Sequence, residues 1–490
     1  MIDAAKAIQD RNPLFRNRCP IGGAWCGANS GRSFPVSDPA TGDVIAEVPA
    51  MGAAETRRAI AAAHDAFARW SSFPAQERGD ILMRWYDLML QNEENLGRLM
   101  TAEQGKPLLE ARGEIRYAAS FVRFFAEEAR RVYGETIPSP KSDGRIVVLR
   151  QPVGVVACIT PWNFPAAMIT RKAAPALAAG CTVVVKPAEA TPLTALALAA
   201  LAEQAGMPPG VVNMVTGDPK EIGAELCGNT AVRKLSFTGS TATGRLLAAQ
   251  CAPSLKKLSF ELGGNAPFIV FDDADLDAAI AGAVLSKYRH SGQTCVCTNR
   301  FLVQGGIHDD FARRLVAEAK KLKLGNGFEQ GVTIGPLIND AAIAKVEAHV
   351  ADALDKGAKL LVGGNVNPTG SHFFEPTVLS GITPAMRMMQ EETFGPVAGL
   401  TRFEDEDDAV RIANDTEYGL AGYFYSRDFA RTWRVAEKLE CGMVGINTGF
   451  LSVETAPFGG IKQSGYGREG SHHGLAEFLQ FKYLNIGEIR

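Results

Sequence analysis

Four short apolar runs rich in β-branched residues, at 153–159, 182–186, 211–215 and 234–237, are separated by segments rich in Ala and Leu. Strands buried on both faces read as continuous apolar runs, so this alternation predicts a parallel, doubly wound sheet with helices on its faces. A second series begins near Leu262, with runs at 268–271, 301–304, 360–362, 398–403, 422–425 and 443–447. Helical stretches lie between several of these, which predicts a second α/β domain. Ahead of both series, after a polar start, 53–70, 77–100 and 111–132 carry apolar positions at helical spacing. Extended runs flank Lys141-Ser142-Asp143-Gly144, and the Asp-Gly turn beside Ile146-Val147-Val148-Leu149 predicts a hairpin arm. The tail at 478–484 is β-prone and is expected to pair with that hairpin or with another subunit.

Composition narrows the function classes. The chain has 490 residues, which implies two or three domains. A net charge of −3 without a basic block argues against nucleic acid or anionic membrane as main partners. No apolar run approaches the length of a spanning helix, and Met1 to Arg11 lack a signal-peptide core. Nine cysteines without paired or zinc-like spacing suit a reducing compartment, so no metal site is expected and the cytoplasm is the expected location.

Candidate chemistry clusters where strands end, because open parallel sheets bind ligands beyond their carboxyl edges. Cys295 follows Gly292-Gln293-Thr294 between a helical run and an apolar one. A thiol there, with backbone amides near it, is able to be held partly as thiolate and attack a carbon electrophile. A lone cysteine is more often a small buried hydrophobe, and only company elsewhere changes that. Asn163, in Pro161-Trp162-Asn163-Phe164-Pro165, fits a helix cap or an oxyanion donor. Lys186 and Glu189 suit a ribose diol, and the turn Thr238-Gly239-Ser240-Thr241 offers amides to a pyrophosphate. Glu261-Leu262-Gly263-Gly264-Asn265 puts a carboxylate at the seam between the two series.

These segments, with Glu391-Glu392-Thr393-Phe394-Gly395-Pro396 and Pro457-Phe458-Gly459-Gly460, resemble the aldehyde dehydrogenase superfamily in order and spacing over nearly the whole chain. The resemblance implies an NAD-binding domain at 1–133 and 151–261, a catalytic domain at 262–476 and an oligomerisation arm at 134–150 and 477–490. It implies a homodimer or homotetramer. It makes Cys295 the nucleophile, Asn163 the oxyanion donor and Glu261 the general base on the hydrolytic water. Trp162, Lys186, Glu189, Gly239, Ser240, Glu392 and Phe394 would hold the dinucleotide. A carboxylate at Glu189 accepts from a 2′-hydroxyl and repels a 2′-phosphate, so NAD is expected over NADP, with Lys186 leaving NADP possible.

Substrate choice follows from three further positions. Arg171, Arg289 and Ser452 match places that line the aldehyde tunnel in this superfamily. Each arginine alone is more often a surface or salt-bridged residue. Together two guanidiniums and a hydroxyl would bind a carboxylate, as in the succinate-semialdehyde dehydrogenases that the surrounding segments resemble. Phe164 and Phe458 fit tunnel walls or core packing equally, and Lys172 and Glu469 fit supporting positions. Departures at Val453-Glu454-Thr455 and His290-Ser291 keep glutarate semialdehyde or another polar aldehyde open as the substrate. In some of these relatives a pair like Cys295 and Cys297 is proposed to oxidise reversibly, although such close spacing strains a bridge. A non-catalytic protein on the same fold would lack nucleophile or base, and both are present. A nucleotide hydrolase would want Lys after Gly244, where Arg245 stands.

Overall fold

The computed structural model describes residues 12–370 and 372–489. The signal-peptide test on the first eleven residues therefore lies outside the described part. Two sheets carry the chain. The first has six strands in the order Gly465–Tyr466, Lys257–Glu261, Val232–Thr238, Val155–Ile159, Thr182–Lys186, Val212–Met214. All neighbours are parallel except the short Gly465–Tyr466, which runs antiparallel to Lys257–Glu261. Thr182–Lys186 is buried along its whole length, as a strand covered on both faces must be.

Register makes this sheet an active-site platform. Ile159 pairs with Lys186 on one side and Phe237 on the other, and Phe237 pairs with Phe260. Four strands therefore end level, and the segments carrying Asn163, Glu189, Gly239 and Glu261 leave from one edge. The helix Ala167–Ala179 that follows the first of them is buried on every face. Its Ala-rich sequence permits close packing, and the charges of Arg171 and Lys172 inside it must then be met by partners.

The second sheet has seven strands in the order Lys359–Val362, Thr377–Ser380, Val397–Phe403, Thr298–Gln304, Ala266–Val270, Ala421–Tyr425, Met443–Ile446. Only Lys359–Val362 is antiparallel to its neighbour. Apolar side chains cover both faces, one around Ile269, Leu302 and Leu379, the other around Phe268, Phe301 and Val303. This is the i, i+1 split that a two-sided strand demands. The hairpin pairs Glu135–Ile137 with Arg145–Pro152, and Leu479–Ile486 joins the latter in antiparallel register. The tail thus pairs with the hairpin of its own chain.

Some elements differ from expectation. The helical run at 77–100 is two helices, Ala75–Gln91 and Glu93–Gln104. Asn92 divides them, its side-chain amide donating to the carbonyl of Leu88 at 2.9 Å in competition with the helix ladder. The run expected over 111–132 starts at Leu108, behind Pro107, and ends at Glu128. The strand Lys257–Glu261 is not an apolar run: it buries Ser259, whose Oγ donates to Glu477 at 3.0 Å, and Glu261 at its end. The antiparallel pair Ser33–Ser37 and Val44–Pro49 occupies what reads as a polar start. Among the described residues no helix is long and apolar enough to cross a membrane.

Candidate active site

Cys295 sits in the connection between the helix Leu276–Tyr288 and the strand Thr298–Gln304. The backbone turns sharply there: His290, Ser291 and Gly292 have φ of 55°, 54° and 74°. Left-handed backbone at two successive non-glycine residues persists only where the surroundings over-determine it. They do. Glu110 accepts from the His290 N–H at 3.0 Å, Ser291 Oγ donates to the Gly335 carbonyl at 2.9 Å, and Gln293 Oε1 accepts from the Ile338 N–H at 3.0 Å. A Cβ at Gly292 would lie 2.2 Å from the Gly395 carbonyl oxygen, so only glycine fits the turn.

Two cavities meet at this cysteine. One, of about 500 Å³, is lined by Trp162, Asn163, Gly239, Ser240, Glu392 and Phe394. The other, of about 280 Å³, is lined by Phe164, Arg171, Arg289, Ser452 and Phe458. Cys295 is the residue the two linings share. A sulfur between a long cleft and a small chamber is placed to receive a carbon from one side and expose it to the other.

The cleft suits a dinucleotide in its chemistry. Ser240 caps the helix Thr241–Cys251, accepting from the Thr243 N–H at 3.2 Å. The Gly239 N–H is committed to the Glu261 carbonyl at 3.1 Å, which leaves anion binding to the helix amides that follow. Lys186 and Glu189 form an ion pair at the strand end, outside the cleft lining. Glu392 accepts from the Gly264 N–H at 3.1 Å, and burial pushes its carboxyl up to about 7 against that bond. Phe394, itself left-handed at φ 58°, meets the Trp162 ring edge-on with centroids 5.6 Å apart.

The chamber is charged. Arg171 lies 2.8 Å from Glu469 through Nε and 3.9 Å over the Phe458 ring, while its Nη2 has no hydrogen-bond partner. Glu469 also takes an ion pair from Lys172, whose Nζ reaches Thr238 Oγ1 at 2.5 Å. Burial would raise the Glu469 carboxyl, but Lys172 and Arg171 outweigh it and hold the group below the usual range. Arg289 has no ion pair among the described residues; it stacks on Phe450 at 5.1 Å and Phe164 at 5.8 Å. Phe164 and Phe458 both wall the chamber, and Phe458 belongs to the core as well.

The acid–base groups differ from expectation in two ways. Burial pushes the Cys295 thiol up to about 12 despite Arg171 nearby, which favours the protonated sulfur over the partial thiolate expected. Glu261 lines neither cavity; both its oxygens lack partners, and a Cβ at Gly459 would come within 2.9 Å of Oε1. Burial first, then the negative Glu469, raise its carboxyl well above the ordinary range, with Arg171, Lys172 and Arg468 opposing. Asn163 Nδ2 donates to the Gln293 carbonyl at 3.0 Å, which ties the oxyanion candidate to the nucleophile turn, and its Oδ1 is unpartnered. Cys297 Sγ faces the carbonyls of Lys287 and Thr298 at 3.5 Å each, behind the chamber and outside its lining. Among the described residues no cluster of His, Cys, Asp or Glu could hold a metal ion.

Chamber residues that sequence reasoning missed are Lys106, Glu110, Glu114 and Tyr117, and His290, expected to bear on the substrate, lines the chamber with them. The one signal was local: Gly105-Lys106-Pro107 breaks a helical run with a charged residue.

The aldehyde dehydrogenase family model matches residues 25–484. A glutarate-semialdehyde dehydrogenase of Pseudomonas aeruginosa is 60% identical over 97% of this chain and 99% of its own. An NADP(+) succinate-semialdehyde dehydrogenase of Escherichia coli is 58% identical over 98% and 99%. The crystal structure of succinate-semialdehyde dehydrogenase from Burkholderia pseudomallei superposes with a TM-score of 0.97 at 61% identity, covering 97% of this chain and 99% of that one. The seven motifs, the paired parallel sheets and the cysteine between two cavities are therefore one inherited arrangement, and the chain belongs to the aldehyde dehydrogenase family.

Proposed function

We propose that the protein oxidises a carboxylate-bearing semialdehyde to the dicarboxylate with NAD(P), succinate semialdehyde first and glutarate semialdehyde second. The observation that carries this is the chamber itself: among the described residues Arg171 Nη2 has no partner and Arg289 no ion pair, and both share one lining with Ser452 and Cys295. Arg171 already pairs with Glu469 through Nε, so its free Nη2 and the Arg289 fork are the groups that an entering carboxylate would satisfy. The second substrate is favoured by the relative named for it, and one methylene is worth only about 1–3 kcal/mol of discrimination.

Cys295 Sγ attacks the aldehyde carbon as its proton passes to the ionised Glu261 carboxylate, which returns it to solvent before hydrolysis. The second N–H of the Asn163 amide and the Cys295 backbone N–H receive the developing oxyanion. When bound, the nicotinamide supplies the hydride acceptor for the step that leaves an acyl thioester on Cys295. Glu261, raised by burial, turns toward the thioester, takes a proton from water and releases the acid. Glu392 and the helix after Ser240 would hold the dinucleotide, with Lys186 and Glu189 at its adenosine ribose. Cys297, facing away from the chamber, would need the turn to move before it could bridge to Cys295. The exposed arm, with Phe481 at 70% and Tyr483 at 60%, is suited to joining subunits.

Initial rates on succinate semialdehyde, glutarate semialdehyde and butanal, with NAD and with NADP, test the proposal. Both semialdehydes are expected to exceed butanal in kcat/KM by about 10²-fold, the worth of a desolvated charge pair. Equal rates on butanal would remove the carboxylate from the account. We further propose that NAD is preferred, because Glu189 already neutralises Lys186 and opposes a 2′-phosphate. Glu189→Ser is expected to shift the NADP/NAD ratio of kcat/KM upward by about fivefold to tenfold, the size of one unit charge near the surface. An unchanged ratio would place the 2′ position elsewhere.

A further inference from the structure

One buried ion pair outside the proposed chemistry touches both halves of the site. Lys106 Nζ and Glu114 Oε2 are 2.5 Å apart, each side chain only 1% exposed. Such a pair adds little net stability, since desolvation offsets its attraction, so its presence calls for another account. Its remaining bonds supply one. Lys106 Nζ donates to the backbone carbonyl of Asn163 at 2.7 Å and lies 4.4 Å from the centre of the Phe164 ring. Glu114 Oε1 accepts from the N–H groups of Ala166 and Ala167 at 2.9 and 3.2 Å. These are the first amides of the helix that carries Arg171. The pair thus grips the four-residue turn from Asn163 to Ala166 at both ends.

The same segment also holds the nucleophile side. Gln104 Oε1 accepts from the Lys106 N–H at 3.0 Å, while Gln104 Nε2 lies 3.2 Å from His290 Nε2. Glu110 accepts from the His290 backbone. Residues 104–114 therefore span the gap between the oxyanion turn and the left-handed turn before Cys295.

We propose that Lys106 and Glu114 are positioning residues that set the Asn163 amide relative to Cys295, an inference that rests on Asn163 being the oxyanion donor. They act on the transition state through Asn163. Their loss is expected to lower kcat and leave aldehyde KM and nucleotide binding nearly unchanged. A displacement of about 1 Å at a reacting centre costs about 10²-fold.

Lys106→Met alone would leave Glu114 charged and unpaired, so the informative variant is Lys106→Met with Glu114→Gln. It removes both charges and keeps an oxygen for Ala166 and Ala167. The full-length double variant is expected to melt close to the parent and to bind NADH with unchanged Kd by fluorescence titration. Its kcat should fall about 10²-fold on semialdehyde and on butanal alike, with KM within about threefold. In an Asn163→Ala background the same double change should cost less than about threefold more, since residues acting as one unit are not additive. A full 10²-fold further loss in that background, or an effect confined to KM, would overturn the proposal. Should the parent show no preference for carboxylate-bearing aldehydes, the substrate assignment falls, and the cycle measured on butanal still decides this one.

Discussion

Glu261→Gln is expected to release one equivalent of reduced nucleotide per active site and then stop. The amide cannot take a proton from water, so the thioester forms and waits. Steady-state turnover should fall by about 10³-fold, within the range that general-base catalysis supplies. The burst itself should slow, because a thiol raised to about 12 is almost wholly protonated at neutral pH and needs a nearby acceptor. Rapid mixing with NAD and semialdehyde, followed by intact mass of the acylated chain, reads all three effects. Unchanged turnover in the variant would remove Glu261 from the chemistry.

The same carboxyl gives a signed pH dependence. Its folded pKa lies well above its unfolded value, through burial and the neighbouring Glu469. The folded state then binds the extra proton between those two values, so stability falls as pH rises from the unfolded pKa through the folded one. Activity runs the other way, because only the ionised form is a base. The Gln variant should therefore show a higher Tm than the parent above neutrality, with the gain shrinking toward pH 4.5, the ordinary value for the group. Glu469, held ionised by Lys172 and Arg171, has the opposite sign: its contribution is present above its unfolded pKa and is lost on acidification.

The legible part of this fold was the part that burial writes into sequence. Val155–Ile159 and Thr182–Lys186 are apolar because both faces are covered, and no helix periodicity competes with them. Lys257–Glu261 escaped because Ser259 and Glu261 are polar, and their burial is met by Glu477 or by the needs of the site, which no local pattern records. The division at Asn92 turns on one side-chain amide and leaves the apolar spacing almost intact. Cys295, Asn163 and Glu261 could be named from motifs, yet the protonated thiol and the withdrawn carboxyl depend on how deeply the folded chain covers them. Lys106 comes from a helix junction and Glu114 from the helix that follows it, both far from any motif, and their role appears only where they meet the turn after Asn163.

Arg289 separates substrate recognition from chemistry most cleanly. Arg171 is a poor probe, because it also shields Glu469 and packs on Phe458, so its loss would disturb the acid–base groups. Arg289 carries no ion pair among the described residues and is held by the faces of Phe164 and Phe450. Its positive charge is felt by the half-buried Glu110, and a substrate carboxylate would compete for that field. In Arg289→Met an apolar side chain fills the space beside Phe164 and Phe450, while the guanidinium that lies over those rings and would meet the carboxylate is gone. Removing one member of a desolvated charge pair costs about 2–5 kcal/mol, so kcat/KM on succinate semialdehyde should fall by about 10²–10³-fold. Butanal, with no carboxylate to lose, should stay within about threefold of the parent or improve, since an unpaired guanidinium no longer has to be desolvated around an apolar chain. Most of the loss should appear in KM, because the carboxylate is bound equally in ground and transition states. An equal fall on both aldehydes would mean that Arg289 supports the Cys295 turn instead of reading the substrate.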